Sequence, residues 1–593
     1  ASTVQVRSLN SLILAFGQRI AFLTASPSAG SQKPRVVMAD AAEKLVPTFE
    51  SEDSEEELEE ADAGFYGKEA LTMASMAWPM LVSSFCRTGM SFVDSAFIGH
   101  VTTKGHASGD YLAAVGLADM VTSLFVIPPI AFIQSLIPLV SQALGRGNPK
   151  KAGIWLQFSL IFMTLSYIPC LVPFFFVSDI LKLMNFSPEV CELAGTFARY
   201  NVFWPIPNGW YLCMRFYFQA QGITRPAMYN NIVFLGVNAL LDWTFVCGGP
   251  LRKFGWNGLG FEGAAISMSV SRCLQPLFYW LYVFAWQGMH SATWPGWSLQ
   301  YLTRKRLKAF MGMSLPMLGS LILQAFIGDV TSYLIAQLGD TAIAASGAAA
   351  SITGLCTGCI VATLCSISGI RVGFHLGAGD GESARKASWI VFGVGSGMIV
   401  AIGAALLFLG RSALSVITND PSVQELAVTL LPAVLLDTLA SFFVACNTEG
   451  ILSSQGRAKL ATFLSMAVEL PLSVGTMSAL VFVVRANLLG VYWGQAAVSC
   501  VELCIVMVIF LRSDWATYAS DAVDRQSSLV KRSIAGAAEL MHAPRSPIIF
   551  QLGRAWLADS VAVVPSVHLA ARQPVNDSED ISDGTSEAED EED

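Results

Sequence analysis

Between Ala70 and Leu511 the chain holds twelve apolar stretches, each long enough to cross a bilayer, and they sort into two sets of six. A helix crosses a hydrocarbon core with about 20 apolar residues, so a chain that repeats this twelve times is a polytopic membrane protein. The spans lie at 70–98, 111–144, 152–177, 191–220, 227–247 and 259–285, then at 309–338, 342–376, 387–409, 424–452, 460–484 and 488–511. Landmarks recur in order. Pro79-Met80-Leu81 matches Pro316-Met317-Leu318, the stretch from Leu112 matches that from Ile343, Gln221-Gly222 answers Gln455-Gly456, and the stretch from Leu259 answers that from Leu489. A nearly constant offset of about 230 residues is the mark of an internal duplication.

Each set is even in number, so the second begins on the side where the first began. The repeats are therefore parallel, and their interface is expected to form a central cavity. Loops after even spans carry Arg146, Lys150, Lys151, Arg225, Arg304, Lys305, Arg306, Lys308, Arg385, Lys386, Arg457 and Lys459; loops after odd spans carry only Lys104, Lys182, Arg252, Lys253, Arg411 and Arg485. Positive charge is retained on the cytoplasmic side, which puts both termini there or on the equivalent side of an organelle.

The formal charge of -9 belongs to the ends of the chain. Nine acids crowd residues 50–62 and ten crowd 577–593, with no Lys or Arg in either run; such runs are solvated, disordered tails. Residues 1–39 hold no acid, several Ser, and Arg7, Arg19, Lys33 and Arg35, a composition shared by organelle transit peptides and disordered cytosolic extensions. The host is then the plasma membrane or an organelle envelope, such as that of a plastid. An apolar patch at 547–564 is broken by Arg554 and Asp559 and reads as a cytosolic or interfacial helix. The expected divisions are an N-terminal extension (1–65), a first lobe (66–290), a second lobe (291–515) and a cytosolic C-terminal region (516–593).

Most of the twelve cysteines sit inside spans, as small buried thiols do. Cys356 and Cys359 have metal-like spacing, but no His or second pair accompanies them, and helix packing is the expected role. No G-x-x-x-x-G-K-[ST] run occurs, so transport by this chain draws on an ion gradient or is passive.

Charged side chains inside spans are costly and mark function by default. They are Arg87, Asp94, Asp119, Arg199, Asp242, Arg272, Asp329, Asp437, Glu449, Glu469 and Glu502. Arg87 and Asp94, seven apart, are nearly on one face and are candidates for mutual neutralisation. Asn238 and Asp242, four apart, put a carboxamide and a carboxylate one turn apart on the same face. Two carboxylates sharing a low-dielectric pocket cannot both stay charged without a proton or a cation between them, which is what ion coupling requires.

The stretch from Trp78 to His100 resembles the first helix of the multidrug and toxic compound extrusion (MATE) transporters, where an apolar-Pro start leads to a TGM-like turn and then an acid, here Asp94. Arg215 to Pro226 is similar to that family's R-x-x-L-Q-A-Q-G-x-x-x-P signature, with Phe218 in place of Leu. The resemblance runs over both halves. It implies an all-α membrane protein of twelve transmembrane helices in two six-helix repeats, a V-shaped cavity, and no catalytic activity. It further implies a cation-coupling site at Asp94, Asn238, Asp242 and Ser267, with H+ or Na+ as the coupling ion and no bound cofactor. The implied partners are a cationic or amphiphilic organic solute and the lipid bilayer, without nucleic acid, for a monomer.

The second half departs from the pattern. An acid usual eight residues after the span-7 proline is Gln324; Asp329 stands thirteen after it, and Asp437 resembles the span-10 acid but is several residues too far from its Gln-Gly turn. Counterparts of Asp94 and Asp242 in the second half are Thr331 and Thr476. Coupling is therefore expected in the first half, and substrate recognition at Gln324, a buried Asp329 and Asp437 in the second. Aromatics such as Phe92, Trp204, Trp210, Tyr211 and Trp280 are candidates for the cavity wall. Two rival readings are a flippase of lipid-linked oligosaccharides, which needs a strongly cationic cavity, and an intramembrane aspartyl enzyme, to whose G-x-G-D motif Gly328-Asp329 comes close.

Overall fold

The computed structural model describes residues 55–99, 101, 108–184, 186–415 and 420–525. The first forty residues, the C-terminal acidic run and the patch at 547–564 lie outside them. Residues up to Gly67 and the body from Lys68 form separate units; the account below concerns the body.

All twelve expected spans are helical. α1 is Glu55–Gly99, α2 Asp110–Gly145, α3 Pro149–Leu183, α4 two pieces (Pro188–Tyr200 and Pro205–Gln219), α5 Arg225–Cys247 and α6 Phe261–Trp280. The second six are α7 Arg304–Ala336, α8 Thr341–Ala378, α9 Gly381–Leu414, α10 Pro421–Leu452, α11 Ala458–Val484 and α12 Leu488–Leu511. No strand occurs among the described residues. Nine described helices are long and apolar enough to cross a membrane on composition alone. The other three have a local reason to fall short: α1 carries Arg87 and Asp94, α4 is interrupted ahead of Pro205, and α6 carries Glu262 and Arg272. α1 also begins inside the acidic run at 50–62, which was expected to be disordered.

Local chemistry starts and stops these helices. Asn148, Ser187, Thr303, Asp380, Asp420 and Asn487 each accept a backbone N–H in the first turn of the helix they precede, the usual N-cap bond. The two Gln-Gly turns end alike, with Gly222 at φ 78° and Gly456 at φ 79°, a left-handed backbone that favours glycine. The duplication is thus visible in backbone conformation.

Among the described residues five π-turns interrupt the helices, at Leu281–Trp286, Gly354–Gly358, Cys446–Leu452, Ser465–Glu469 and Ala479–Val484. Four are in the second half. The one in α10 lies between Asp437 and the Gln-Gly turn and absorbs residues that make this interval long.

Packing in the first half centres on Trp155, Phe158, Tyr211, Phe218 and Tyr279, and Phe310 of α7 is part of the same cluster, stacked 6.0 Å from Phe132. The start of the second half is therefore rooted in the core of the first. The halves meet again where the basic loops lie, along the ends of α2 and α8. A Cβ at Gly145 would strike Phe374 O, and one at Gly377 would strike Gln142 O, so the two backbones touch and no larger residue fits. Ser454 O accepts from Gln142 Nε2 at 2.5 Å across this seam. A helix over 515–525 braces the same side: Trp515 is buried, Arg525 donates to Gln455 O at 3.0 Å, and Arg457 lies 4.9 Å over Tyr518.

Candidate coupling site, cavity and latch

α5 carries a polar column on one face, Asn231, Asn238 and Asp242, all fully or almost fully buried. Spacings of seven and four keep the three on one side of the helix. Asn238 Nδ2 donates to Asp94 Oδ1 of α1 at 2.6 Å and to Asp242 Oδ2 at 3.0 Å. Ser267 Oγ of α6 donates to Asp242 Oδ1. Asp94 is 6 % exposed and Asp242 0 %. All four sequence-predicted coupling residues thus meet in one buried cluster, built from three helices.

Residues outside that prediction support it. Asn231 accepts from Tyr211 at 2.6 Å and from Gln275 Nε2 at 2.8 Å, and donates to Ser83 Oγ at 2.5 Å. α5 is thereby fixed to α1, α4 and α6 about three turns from the acids. The signal was the seven-residue spacing from Asn231 to Asn238, which shares the α5 face.

Asp94 Oδ2 makes no hydrogen bond but lies 3.9 Å from Arg272, whose guanidinium sits 4.3 Å over Trp204. Mutual neutralisation of Arg87 and Asp94 is not what forms: seven residues separate them by about 10 Å of helix rise, and Arg272 takes the place. Of the aromatics proposed for the cavity wall, Tyr211 is in the core and Trp204 underlies Arg272, while Phe92, Trp210 and Trp280 are exposed and stand apart from the pocket lined by Gln324 and Glu449.

The second-half candidates are spread apart. Gln324 lines the space between the halves, next to Glu449. Asp437 accepts from Ser499 Oγ at 2.5 Å, within the second half and away from that lining. Asp329, expected to be buried, is exposed, as are Phe326 and Tyr333 on the same face of α7. Cys356 and Cys359 have no companions, and no group of three or more metal-ligating side chains occurs among the described residues.

A further cluster joins the halves. Glu69 stands just before the membrane segment of α1, and Arg371 of α8 holds it by two bonds, Nε to Oε1 at 2.6 Å and NH2 to Oε2 at 2.7 Å. His375 Nε2 lies 3.3 Å from Oε1. Burial would push the Glu69 carboxyl up, but hydrogen bonds from His375 and Arg371 and the Arg371 charge outweigh it and hold the group at about 2, against 4.5 ordinarily. A carboxyl lowered in the fold stabilises it above its unfolded value and ceases to as pH falls through the folded one. The contribution, about 3 kcal/mol, is therefore complete at neutral pH and lost between about 4.5 and about 2. Thermal unfolding of the purified chain should show Glu69→Gln losing its deficit relative to the parent across that acid window; a deficit independent of pH would contradict the assignment.

The arrangement of a buried carboxylate pair, an inter-half cavity and two homologous bundles can be set beside known proteins. The MatE family profile matches residues 79–244 and 316–474, more than half of the chain. The chain is 26% identical over 472 residues to multidrug and toxin extrusion protein 1 of Xenopus tropicalis, covering 78% of each protein. With the multidrug resistance protein NorM of Aliivibrio fischeri it shares 27% over 370 residues, 62% of this chain and 77% of that protein. The crystal structure of the eukaryotic MATE transporter AtDTX14 superposes with a TM-score of 0.69 at 20% identity, over 78% of this chain and all of that one. Two six-helix repeats, the family signature and the matched profile make this chain a member of the MatE family, a multi-pass membrane transporter and not an enzyme.

Proposed function

We propose that this chain is a secondary antiporter that exports organic solutes, xenobiotics among them, in exchange for protons. The observation that carries the reading is the buried cluster of Asp94, Asn238, Asp242 and Ser267. Two carboxylates share one amide donor there, and only Asp94 has a cation beside it. The remaining charge needs a proton or a small cation. A proton fits better than Na+: Asn238 presents its N–H groups to the acids, Ser267 donates its hydroxyl, and Arg272 is already resident, so few oxygens are left to ligate a metal ion. The names of the relatives, which refer to multidrug and toxin extrusion, support the substrate class. The two lobes would be residues 66–290 and 291–515, and the protein would act as a monomer in the plasma membrane or an organelle envelope.

Proteoliposomes loaded with a fluorescent organic solute, with pH and Na+ gradients imposed separately, test this. Uphill movement should follow the pH gradient, vanish when a protonophore dissipates it, and ignore both Na+ and ATP. Transport driven by Na+ alone would overturn the proton assignment; uphill transport without any gradient would overturn antiport.

A further inference from the structure

On the side of the basic loops, the ends of α3, α6 and α7 form a corner of one charge. Lys150 and Lys151 stand in the first turn of α3, and Arg304, Lys305 and Arg306 in that of α7. The two helices start side by side: Trp155 and Phe310, each four residues further on than Lys151 and Arg306, stack 6.5 Å apart. Lys151 is buried where the charges of Lys305 and Arg306 both reach it. No Asp or Glu occurs at 120–178 or at 263–328, the stretches that build the corner. Arg306 donates to Tyr301 O at 3.1 Å, and its buried Nε makes no hydrogen bond. Like charges crowded where water is partly excluded are costly, and an anion on the guanidinium fork offsets that cost. An apolar groove adjoins the charges. The π-turn Leu281–Trp286 continues α6, and Phe278, Leu281, Tyr282, Ala285 and Trp286 line the groove there. Phe284 of the same turn stacks on His290 at 4.7 Å and meets Trp294 edge-on at 6.3 Å. Lys150 holds that segment in turn, donating to Ser291 O at 3.1 Å and to Trp294 O at 3.3 Å. Trp286 and Trp297 are both mostly exposed, as indoles at headgroup depth are.

We infer that this corner binds an anionic glycerophospholipid, its phosphate against Lys305 and Arg306 and one acyl chain along the groove of α6. Charge complementarity selects the headgroup, because positive loops face the leaflet that carries anionic lipids. The groove selects a lipid over a soluble anion. Inorganic phosphate would meet the charges and leave the apolar wall bare, whereas a neutral lipid would fill the groove and leave the charges crowded. The inference stands apart from the exporter reading, since it concerns a bound lipid and not the movement of a solute.

Native mass spectrometry of the purified full chain, given equimolar phosphatidylglycerol and phosphatidylcholine of matched acyl chains, reads the preference. Retained phosphatidylglycerol should exceed phosphatidylcholine on the order of 10-fold. Lys305→Gln combined with Arg306→Gln should abolish the preference. Lys305→Gln alone, at an exposed position and a milder change should the pair fail to fold, should lower it part of the way. Lys253→Gln, which removes an exposed charge from a loop after an odd span, should leave it unchanged. Ala285→Trp fills the groove and should reduce retention of phosphatidylglycerol with every charge in place. Millimolar inorganic phosphate should not displace the lipid. Equal retention of the two lipids by the parent, as expected if this chain's own acidic run at 577–593 covered the corner, would overturn the proposal. So would a preference that survives the double variant or falls equally in Lys253→Gln, full retention in Ala285→Trp, or displacement by phosphate.

Discussion

Asp242→Asn is expected to reduce gradient-driven export on the order of 100-fold, the scale of losing an obligatory proton carrier, while solute binding stays measurable. The amide fills the same volume, and its Oδ1 can still accept from Ser267, so the cluster should assemble. What it cannot do is take up and release a proton. Asp94→Asn is expected to act in the same direction, with one difference: it removes the acid beside Arg272 and leaves that guanidinium, 3.9 Å away in the parent, without its partner. A stability cost of about 3–5 kcal/mol, as for any broken buried ion pair, should therefore accompany Asp94→Asn and be absent from Asp242→Asn. Uptake and thermal unfolding of both variants check this. If both still pump uphill while Asp437→Asn does not, coupling resides in the second half.

The second large effect belongs to the latch. Removing one partner of a buried, two-bond carboxylate–guanidinium pair costs about 3–5 kcal/mol. Because Glu69 is on α1 and Arg371 on α8, that cost falls on the contact between halves. Glu69→Gln and Arg371→Gln should each expose the seam: a cysteine placed at Ser141, buried against Gly369 O, should react with a membrane-impermeant maleimide more than about 10-fold faster, the ratio that even 1.4 kcal/mol produces. Combining the two should cost less than the sum, since each single variant strands the other charge and the double variant leaves neither. Unchanged labelling in all three variants would show that the glycine-lined contact alone holds the seam.

What could be read beforehand follows the range of each interaction. Span number, repeat symmetry and the α5 pair Asn238 and Asp242 depend on composition and on four-residue spacing, so they stand in the sequence plainly. The meeting of Asp94 with Asn238, 144 residues away, is legible only through resemblance to a family. Arg272 replacing Arg87 as the neighbour of Asp94 is not legible at all, because it depends on how α1 and α6 are rotated about their axes. The same holds for Asp329, whose exposure depends on the rotation of α7 about its axis, and for Glu69, which stands past the acidic run at 50–62 and has no local signal in the sequence, since Arg371 and His375, four apart on α8, reach it from 302 and 306 residues away.

The uneven distribution of π-turns has a consequence for anyone who would engineer the second half. One extra residue wedged into a helix rotates everything beyond it by about 100°, so ancestral equivalence by count and present equivalence by direction part company after each insertion. Thr476, the counterpart of Asp242 by offset, lies past the π-turn Ser465–Glu469 in α11, whereas α5 carries no such turn before Asp242. Grafting acids at Thr331 and Thr476 would copy the text of the coupling site without copying its aim. A designer seeking a symmetric, two-site machine would first have to delete a residue and let the helix wind back.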